Sequence, residues 1–420
     1  MTPQLAPDAV VPQRDRLLDE RWMQQWFADR LGVRAAGRGA CRLVRAKYRI
    51  GESLRVRYDL DTGARRLPLA VRVFPPGVSR SIYERSLARA LPVNGVPPVV
   101  HDPALEMVAW VFPNDRKISR LADVMAPLRC GRDEPTQAEL VSWVPEKLAT
   151  ARHATAGETA HCYAKIYGDQ TPLPPVAAMR AIAGVHATPL GPMRLPAVLA
   201  TSDDQRLLTI EAGPGRLLAT LPAACREQAL RHLGAALATL HTTTPPAGLP
   251  THDRLGVARI ERAAELLGKA RPDLAPRAAA LARCLRVEAR PAAPDVLVHG
   301  DVHARNVLCA RDSITLIDLD QVALGPAAAD LASVLASLAC EQSSGSSSAA
   351  NAARLGHALC DGYALVRPLP DRAALGWHVR AAVLVERCLR AVNRVRTDEL
   401  AHLAAYLDHA LRAEGDGLYA

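Results

Sequence analysis

One segment of the chain constrains its fold more than any other. Residues 295–321 contain two short apolar runs, VLVHGD and ITLIDLD, joined by a polar turn at 306–313, and the sequence on both sides has helical periodicity. Two such β-type runs with a short connection are typical of a hairpin. A hairpin collects polar residues at the ends of its strands. We therefore expect a polar loop set into a helical lobe.

The rest of the sequence divides into a β-rich first half and a helical second half. Strands are expected at 54–60, 68–74, 107–113, 144–169, 195–201 and 205–215. Helices are expected at 14–31, 79–91 and 175–183, and then at 216–241, 255–270, 276–290, 327–342, 350–364, 371–396 and 398–412. This layout indicates an α+β fold with a short β insert in its helical half.

The β-rich half contains a candidate internal repeat. A shift of 93–95 residues places the turn at 51–52 near 146–147 and the run AVRVF over YAKIY, so that Arg72 falls on Lys165. A repeat at this spacing indicates two copies of a three-strand unit. Chance similarity between two β-hairpins is the alternative reading.

Composition excludes several classes of protein. With 49% hydrophobic and 23% charged residues, and 26 Gly and 32 Pro in 420 residues, the chain is unlike collagen, a coiled coil or a disordered segment. The net charge of +9 permits a nucleotide, a nucleic acid or an anionic substrate as partner. We expect no nucleic-acid partner, because no basic block is interleaved with aromatic residues.

The same sequence gives expectations about location. It contains no run of 18 or more apolar residues, so no membrane partner is expected, and its N-terminus lacks an apolar signal core. The nine cysteines show no C-x-x-C pair, and we interpret them as buried small side chains in a reducing compartment. A cytoplasmic protein is expected, and its oligomeric state is left open.

Four polar residues of the hairpin segment are candidates for metal chemistry. Asp301 and Asn306 are five residues apart, Asp318 follows Asn306 by twelve, and Asp320 lies two further on. Their carboxylate and amide oxygens are ligands of the kind that Mg²⁺ prefers, usually together with substrate phosphates. A carboxylate beside a substrate hydroxyl can also accept its proton. A polar hairpin with satisfied hydrogen bonds is the alternative reading.

The motifs HGDVHARNVL and LIDLDQ resemble those of the aminoglycoside phosphotransferase / choline kinase-like family. The family reads H-G-D-x-x-x-x-N and then I-D-x-D, and both motifs are present in order and at the family's separation. The resemblance implies a protein-kinase-like fold, ATP or GTP and Mg²⁺ as cofactors, and transfer of a γ-phosphoryl group to a small-molecule hydroxyl. It also implies Asp301 as the catalytic base, Asn306 and Asp318 as magnesium ligands, and Asp320 as a supporting or secondary metal carboxylate.

The resemblance extends to the nucleotide site. YAKIYGD resembles the strand whose lysine contacts the phosphates, which favours Lys165 over the competing candidate Arg72. LLTIEAGPG resembles the interlobe hinge, with backbone groups of Glu211 and Gly213 toward the adenine. The segment after Lys165 departs from kinase-like folds because it contains no Glu to pair with the lysine. Either Asp169 or another carboxylate is the partner, or Lys165 is not the phosphate lysine.

These observations lead to one organisation and one function. We expect an α+β, protein-kinase-like two-lobe fold, with an extra α/β unit at 1–140 as a degenerate repeat or cap, a β-rich N-lobe at 141–213 and a mainly helical C-lobe at 214–420. The expected function is phosphorylation of a small-molecule hydroxyl, on a sugar, polyol, aminoglycoside or related metabolite. Arginines at 380–396 favour an uncharged or anionic acceptor over a cationic antibiotic. A nucleotide-binding pseudokinase scaffold and a protein Ser/Thr kinase are the alternatives.

Overall fold

A computed structural model describes residues 5–128, 136–155, 161–251, 254–289 and 295–412. Gly157, expected in a turn of the second repeat, lies outside these residues. The described chain forms β-rich units in its first half and a helical lobe in its second.

The first β-rich unit begins with two short helices and continues as a five-stranded antiparallel sheet. Its elements are α1 (Arg14–Leu18), α2 (Glu20–Leu31), β1 (Cys41–Arg49), β2 (Ser53–Asp61), β3 (Arg66–Val73), α3 (Ser79–Leu87), β4 (Val99–Asp102) and β5 (Met107–Val111). The strand order is β1-β2-β3-β5-β4. The single helix expected at 14–31 is wrong: Asp19 is extended and caps α2 through the N–H groups of Arg21 and Trp22, which interrupts the helix.

The second unit has the same strand order. Its elements are β6 (Gln137–Val144), β7 (Leu148–Ala154), β8 (Cys162–Tyr167), α4 (Val176–Ile182), β9 (Gly184–His186), β10 (Met193–Leu195), β11 (Val198–Thr201) and β12 (Leu207–Glu211). The sheet runs β6-β7-β8-β12-β11. In both sheets a helix lies between the third and fourth strands. Arg72 stands between β2 and β5 as Lys165 stands between β7 and β12, so the two residues hold equivalent positions.

The two sheets pack face to face in one apolar cluster. Ala70 and Phe74 contribute to this cluster from the first unit, and Ala164 and Ile166 contribute from β8. Side chains alternate between the faces of a strand, so Ala70 and Phe74 share a face with Arg72, whereas Ala164 and Ile166 lie opposite Lys165. The first unit therefore covers the back of the second sheet and leaves the Lys165 face toward the rest of the molecule.

The helical lobe surrounds several short strands. Its elements are β13 (Arg216–Leu217), α5 (Ala223–Thr242), α6 (Val257–Ala270), α7 (Ala275–Val287), β14 (Val296–Val298), β15 (Val307–Cys309), β16 (Ile314–Leu316), β17 (Ala323–Gly325), α8 (Ala327–Ser343), α9 (Ala349–Ala364), α10 (Arg372–Ala382), α11 (Leu389–Arg394), α12 (Thr397–Leu400) and α13 (Leu403–Arg412). α8 is buried on nearly all sides and forms the centre of the lobe.

Two expected helices of this lobe differ in the structure. The helix expected at 216–241 begins only at Ala223, because residues 216–217 pair with β15 and Pro222 precedes the first helical turn. The long helix expected at 371–396 contains a π-helical segment, Val383–Cys388, between α10 and α11. Such a segment commonly accompanies a functional site.

The cysteines differ from expectation at one position. Cys162, in β8, is disulfide-bonded, so its interpretation as a free buried thiol is wrong. The free cysteines among the described residues are Cys41, Cys225, Cys284, Cys309, Cys340, Cys360 and Cys388. Cys130 lies outside those residues. Within the described ranges, no helix is long and apolar enough to cross a membrane.

Candidate active site

A lysine of the second sheet meets two carboxylates of the helical lobe. Lys165 Nζ donates to Asp320 Oδ1 at 2.9 Å and also to Asp318 Oδ1. The Tyr167 hydroxyl donates to the second oxygen of Asp320 at 2.8 Å. The carboxylate missing from the segment after Lys165 is therefore supplied by the other half of the chain. Asp169 is not the partner, because its carboxylate accepts from Ser119 Oγ.

These three charges stabilise one another. Burial alone would lower the pKa of Lys165, but Asp320 and Asp318 outweigh it and hold that pKa well above its ordinary value. Burial alone would raise the pKa of Asp318, but Lys165 outweighs it and lowers that pKa. Lys165 is therefore an ammonium, and Asp318 a carboxylate, at neutral pH.

The loop that carries Asp301 and Asn306 is held by its own backbone. The amide of Asn306 donates from Nδ2 to the Asp301 carbonyl at 3.0 Å, which closes the loop. Gly300 has φ +80°, and a Cβ there would lie 2.1 Å from the Gln321 carbonyl oxygen. Only glycine fits this position, because the conformation and the close approach both exclude a side chain. His299 bonds the Ile317 carbonyl through Nε2 at 3.0 Å, which joins the start of the loop to the end of β16.

Asp330 of α8 holds the backbone of this loop in place. Our sequence analysis did not assign Asp330 to the site. Its carboxylate accepts the backbone N–H groups of His299 and Gly300 at 2.7 and 3.1 Å and lies 3.3 Å from His241 Nε2. Burial alone would raise its pKa, but His241 and nearby cations outweigh it and lower the pKa to about 2. One feature of the sequence could have identified Asp330: it is a lone acidic residue in the apolar run that forms α8. A buried carboxylate needs hydrogen-bond or charged partners.

Asp301 lies beside two arginines and a histidine of the helical lobe. Arg390 Nη2 lies 3.5 Å from Asp301 Oδ1, Arg254 Nη1 lies 3.9 Å from it, and His303 Nε2 lies 3.9 Å from Oδ2. Arg254 is held in turn by Glu386 at 3.0 Å. About 30% of the Asp301 side chain is exposed, so it remains accessible to a ligand.

Glu211 and Gly213 lie where the second sheet joins the β15–β16 hairpin. Glu211 ends β12, opposite Cys162, and both its N–H and its carboxylate bond the backbone of Ala197. A Cβ on Gly213 would lie 2.6 Å from Thr315 Cγ2, so the chain runs directly over β16. This is the place of the predicted hinge between the lobes.

A cavity of about 280 Å³ lies beside the catalytic loop, between α5 and α8. Its wall includes His303 and Ala304 of the loop, together with Leu230, Val334 and Arg387. His303 lines this cavity and also lies 3.9 Å from Asp301. The cavity is mostly apolar and adds space next to the site.

A β-rich lobe that supplies a lysine, and a helical lobe that supplies an Asp–Asn loop and a following Asp, define a two-lobe kinase-like enzyme. The chain belongs to the phosphotransferase enzyme family, whose model matches residues 150–369, just over half of it. This confirms the family predicted from the two motifs, the kinase-like α+β fold and the class of small-molecule kinase.

Several solved structures are similar to this chain at low sequence identity. A choline/ethanolamine kinase family protein from Mesorhizobium loti is 16% identical, with a TM-score of 0.42 over 70% of this chain and 95% of that one. A spectinomycin phosphotransferase in complex with ADP and spectinomycin is 15% identical, with a TM-score of 0.46 over 66% and 93% of the two chains. A choline kinase from Cryptosporidium parvum is 14% identical, with a TM-score of 0.44 over 66% and 89%. Curated protein sequences gave no match.

Proposed function

We propose that this protein transfers the γ-phosphoryl group of ATP or GTP to a hydroxyl of a small molecule, with Mg²⁺. The observation that carries the proposal is the meeting of Lys165 with Asp318 and Asp320 next to the Asp301–Asn306 loop. A phosphoryl-transfer site needs a cation for the phosphates, oxygen ligands for a metal and a carboxylate for the acceptor hydroxyl. This arrangement supplies all three.

The donor set fits Mg²⁺. Asn306, Asp318 and Asp320 offer oxygens only, and the Nδ2 bond of Asn306 to the loop leaves its Oδ1 for a metal. Among the described residues, no group of three or more His, Cys, Asp or Glu side chains is arranged to hold a metal ion. A site of two carboxylates and an amide suits an ion that is also bound by phosphate oxygens and water. When bound, the ion would neutralise charge on the phosphates.

The protein residues then have separate tasks. Lys165 would bind the nucleotide phosphates, and backbone groups of Glu211 and Gly213 would meet the adenine. Asp301 would orient the acceptor hydroxyl and accept its proton. Catalysis in such a site consists mainly of positioning and charge stabilisation.

Without nucleotide, the Lys165 ammonium occupies the position between two carboxylates where a cation is needed. Nucleotide binding would shift Lys165 toward the phosphates and free Asp318 and Asp320. Each group would then keep a partner of opposite charge: Lys165 would have the phosphates, and Asp318 and Asp320 would have the metal ion that they would hold.

The test is nucleotide binding measured by thermal shift with ATP or GTP, with and without Mg²⁺. We expect a Mg²⁺-dependent increase in Tm for the wild type and none for Asp318→Asn. Asp312→Asn is the matched control, since Asp312 is exposed in the turn of the same hairpin. A Mg²⁺-dependent shift that is equal in Asp318→Asn and the wild type, or no shift in the wild type, would contradict the proposed site.

We further propose that the first unit, which was expected at 1–140 but ends before β6 (Gln137–Val144), is a degenerate N-lobe copy that serves as a cap. The equal strand order of the two sheets and the equivalent positions of Arg72 and Lys165 support this. In the first unit, however, the face beside Arg72 is filled by the back of the second sheet, and Arg72 pairs with Glu146. No nucleotide would be bound on that face.

A further inference from the structure

A set of cations extends from Asp301 to the first β-rich unit. We define the basic cleft as Arg45 and Lys47 of β1, Arg305 of the catalytic loop, and Arg390 and Arg394 of α11. α11 packs against β1, which brings the first unit to the helical lobe at this point. Arg390 reaches Asp301 at 3.5 Å, so the cleft begins at the proposed catalytic base.

Four members of the basic cleft are partly buried, whereas Arg305 is exposed, and the five cations repel one another. Burial, and then the charges of Arg396, Arg57, Arg305 and Arg390, lower the pKa of Arg45. Burial, and then Arg45 and other nearby arginines, lower the pKa of Arg394 to about 9. The packing of α11 against β1 therefore brings together charges from separate parts of the chain that repel one another.

This cleft contains too few counter-ions. Among the described residues, no carboxylate lies within the 4.0 Å ion-pair distance of Arg45, Lys47 or Arg394. The neighbouring Arg57 and Arg396 are paired, with Asp59 at 3.1 Å and Glu399 at 2.6 Å. The Nε of Arg45 is also buried without a hydrogen-bond partner. Partly buried, unpaired cations are costly to the folded protein unless an anion binds them.

We infer that the acceptor is an anionic hydroxyl compound whose phosphate or carboxylate group binds Arg45, Lys47 and Arg394. This inference rests on the proposed function, since it places the acceptor's hydroxyl at Asp301 and its anionic group further along the cleft. In the proposed function the nucleotide phosphates would bind Lys165, which pairs with Asp318 and Asp320, so the cations beside Asp301 would be the acceptor's part of the site. A cationic acceptor would be repelled from it.

The transfer step balances with the groups named. The acceptor oxygen forms a bond to the γ-phosphorus as the bond from that phosphorus to the β,γ-bridging oxygen breaks. The hydroxyl proton passes to Asp301, and ADP leaves. The anionic group of the acceptor takes no part in this step and serves to bind and orient the molecule.

The first test measures binding of inorganic sulfate, whose charge is constant near neutral pH, by calorimetry on the enzyme saturated with ADP and Mg²⁺. We expect binding to the wild type and an affinity at least about tenfold lower in Arg45→Gln/Arg394→Gln. The control is Arg80→Gln/Arg85→Gln, which removes two charges from the exposed side of α3. It should bind sulfate as the wild type does.

The stability of the ligand-free variants gives an independent readout. Removal of two mutually repelling cations should leave the Tm of Arg45→Gln/Arg394→Gln equal to or higher than that of the wild type. A lower Tm would mean that these arginines have structural partners, and it would contradict the inference.

The second test compares matched acceptors in the phosphoryl-transfer assay. Glucose is compared with glucose 6-phosphate and with gluconate, and glycerol with glycerol 3-phosphate. We expect kcat/KM for an anionic member to exceed that for its neutral partner at least about tenfold, and the advantage to disappear in Arg45→Gln/Arg394→Gln. The phosphate and carboxylate arms show which anion is preferred.

The two proposals fail in different ways. Absence of ADP and Mg²⁺ binding would overturn the proposed function itself. Normal ADP and Mg²⁺ binding, with no sulfate affinity or with equal affinity in the cleft variant, would overturn only the anionic acceptor. Equal or better turnover of neutral acceptors would overturn it as well.

Discussion

Gly300 shows how one residue sets the position of Asp301. Its φ of +80° and the 2.1 Å that would separate a Cβ from the Gln321 carbonyl exclude any side chain. The loop can bring Asp301 next to Asn306 only with glycine at this position. The sequence shows this glycine only as part of a motif. It does not reveal that the Gln321 carbonyl lies close to the Gly300 Cβ position.

Replacement of Gly300 by alanine should therefore damage both stability and turnover. We expect Gly300→Ala to lower the free energy of unfolding by about 2–4 kcal/mol, as urea denaturation would measure, and to reduce kcat at least tenfold. Gly345→Ala is the matched control: its φ is +76°, but no atom lies within 4 Å of its Cβ position, so only about 1 kcal/mol of backbone strain is expected. Equal losses in the two variants would contradict a role for the close approach.

Lys47 should make the stability of the ligand-free protein depend on pH. Burial, and then the charges of Arg55, Arg49, Lys147 and Arg394, lower its pKa from 10.5 to about 7. The unfolded chain therefore binds the proton more tightly, so this destabilising contribution is full below pH 7 and vanishes as pH rises to 10.5.

The measurement is urea unfolding of the wild type and Lys47→Met at pH 6 and at pH 9. We expect the substitution to stabilise the protein more at pH 6 than at pH 9. Lys269→Met is the control, because Lys269 is exposed and paired with Glu265. A stabilisation by Lys47→Met that is independent of pH would show that Lys47 does not titrate in this range.

At the scale of elements, the β6–β7 turn is held by the first unit. Glu146 occupies this turn, where a kinase-like fold covers the phosphates, and it has only 4% of its side chain exposed. Arg116 bonds it at 2.6 Å, Arg55 at 3.1 Å, and Arg72 also pairs with it. Arg72, which is equivalent in position to Lys165, thus pairs with Glu146 and helps to hold the β6–β7 turn next to the proposed nucleotide site.

Loss of this carboxylate should destabilise the protein in a defined pH range. Burial alone would raise the pKa of Glu146, but Arg116 and Arg72 outweigh it and lower the pKa to about 2, from 4.5. The stabilisation is therefore full above pH 4.5 and is lost as pH falls to 2. We expect Glu146→Gln to lower the free energy of unfolding by about 3 kcal/mol at pH 7, measured by urea denaturation.

The control for this substitution is Glu139→Gln, whose ion pair with Arg152 is exposed on β6. It should change the free energy of unfolding by less than about 1 kcal/mol. A loss below that value for Glu146→Gln would mean that the three arginines do not depend on this carboxylate.

The same scale shows where prediction from sequence succeeds and fails. The β15–β16 hairpin was predictable because it is a local pattern of residues, whereas the roles of Lys165, Glu211 and Gly213 stay predictions. The break at Asp19 was missed although its cap is local, since Asp19 accepts from the N–H groups of Arg21 and Trp22. Strands β9 and β10 were not predictable, because β9 pairs with β10 and β10 pairs with β16, which lies far along the chain in the helical lobe. The partner of Lys165 was also beyond local reasoning, since Asp318 and Asp320 lie 153 and 155 residues away.

At the scale of the whole molecule, the first unit has two surfaces with different tasks. One face of its sheet covers the back of the second sheet, and β1 approaches α11 of the helical lobe. The unit thereby contributes to the proposed acceptor site while it holds the second unit in place. The repeat in the sequence indicated a second copy of the unit, but only the packing of β1 against α11 brings the cations of that unit to the helical lobe.

The central claim is that this site transfers a phosphoryl group. The most direct measurement is transfer from γ-labelled ATP with Mg²⁺ to a panel of neutral and anionic hydroxyl compounds, by wild type and Asp301→Asn, with ATP affinity measured in parallel. We predict a labelled phosphate monoester from the wild type, and a rate at least about a hundredfold lower in Asp301→Asn with ATP affinity unchanged. ATP binding without transfer to any acceptor, or equal transfer by both proteins, would contradict the account.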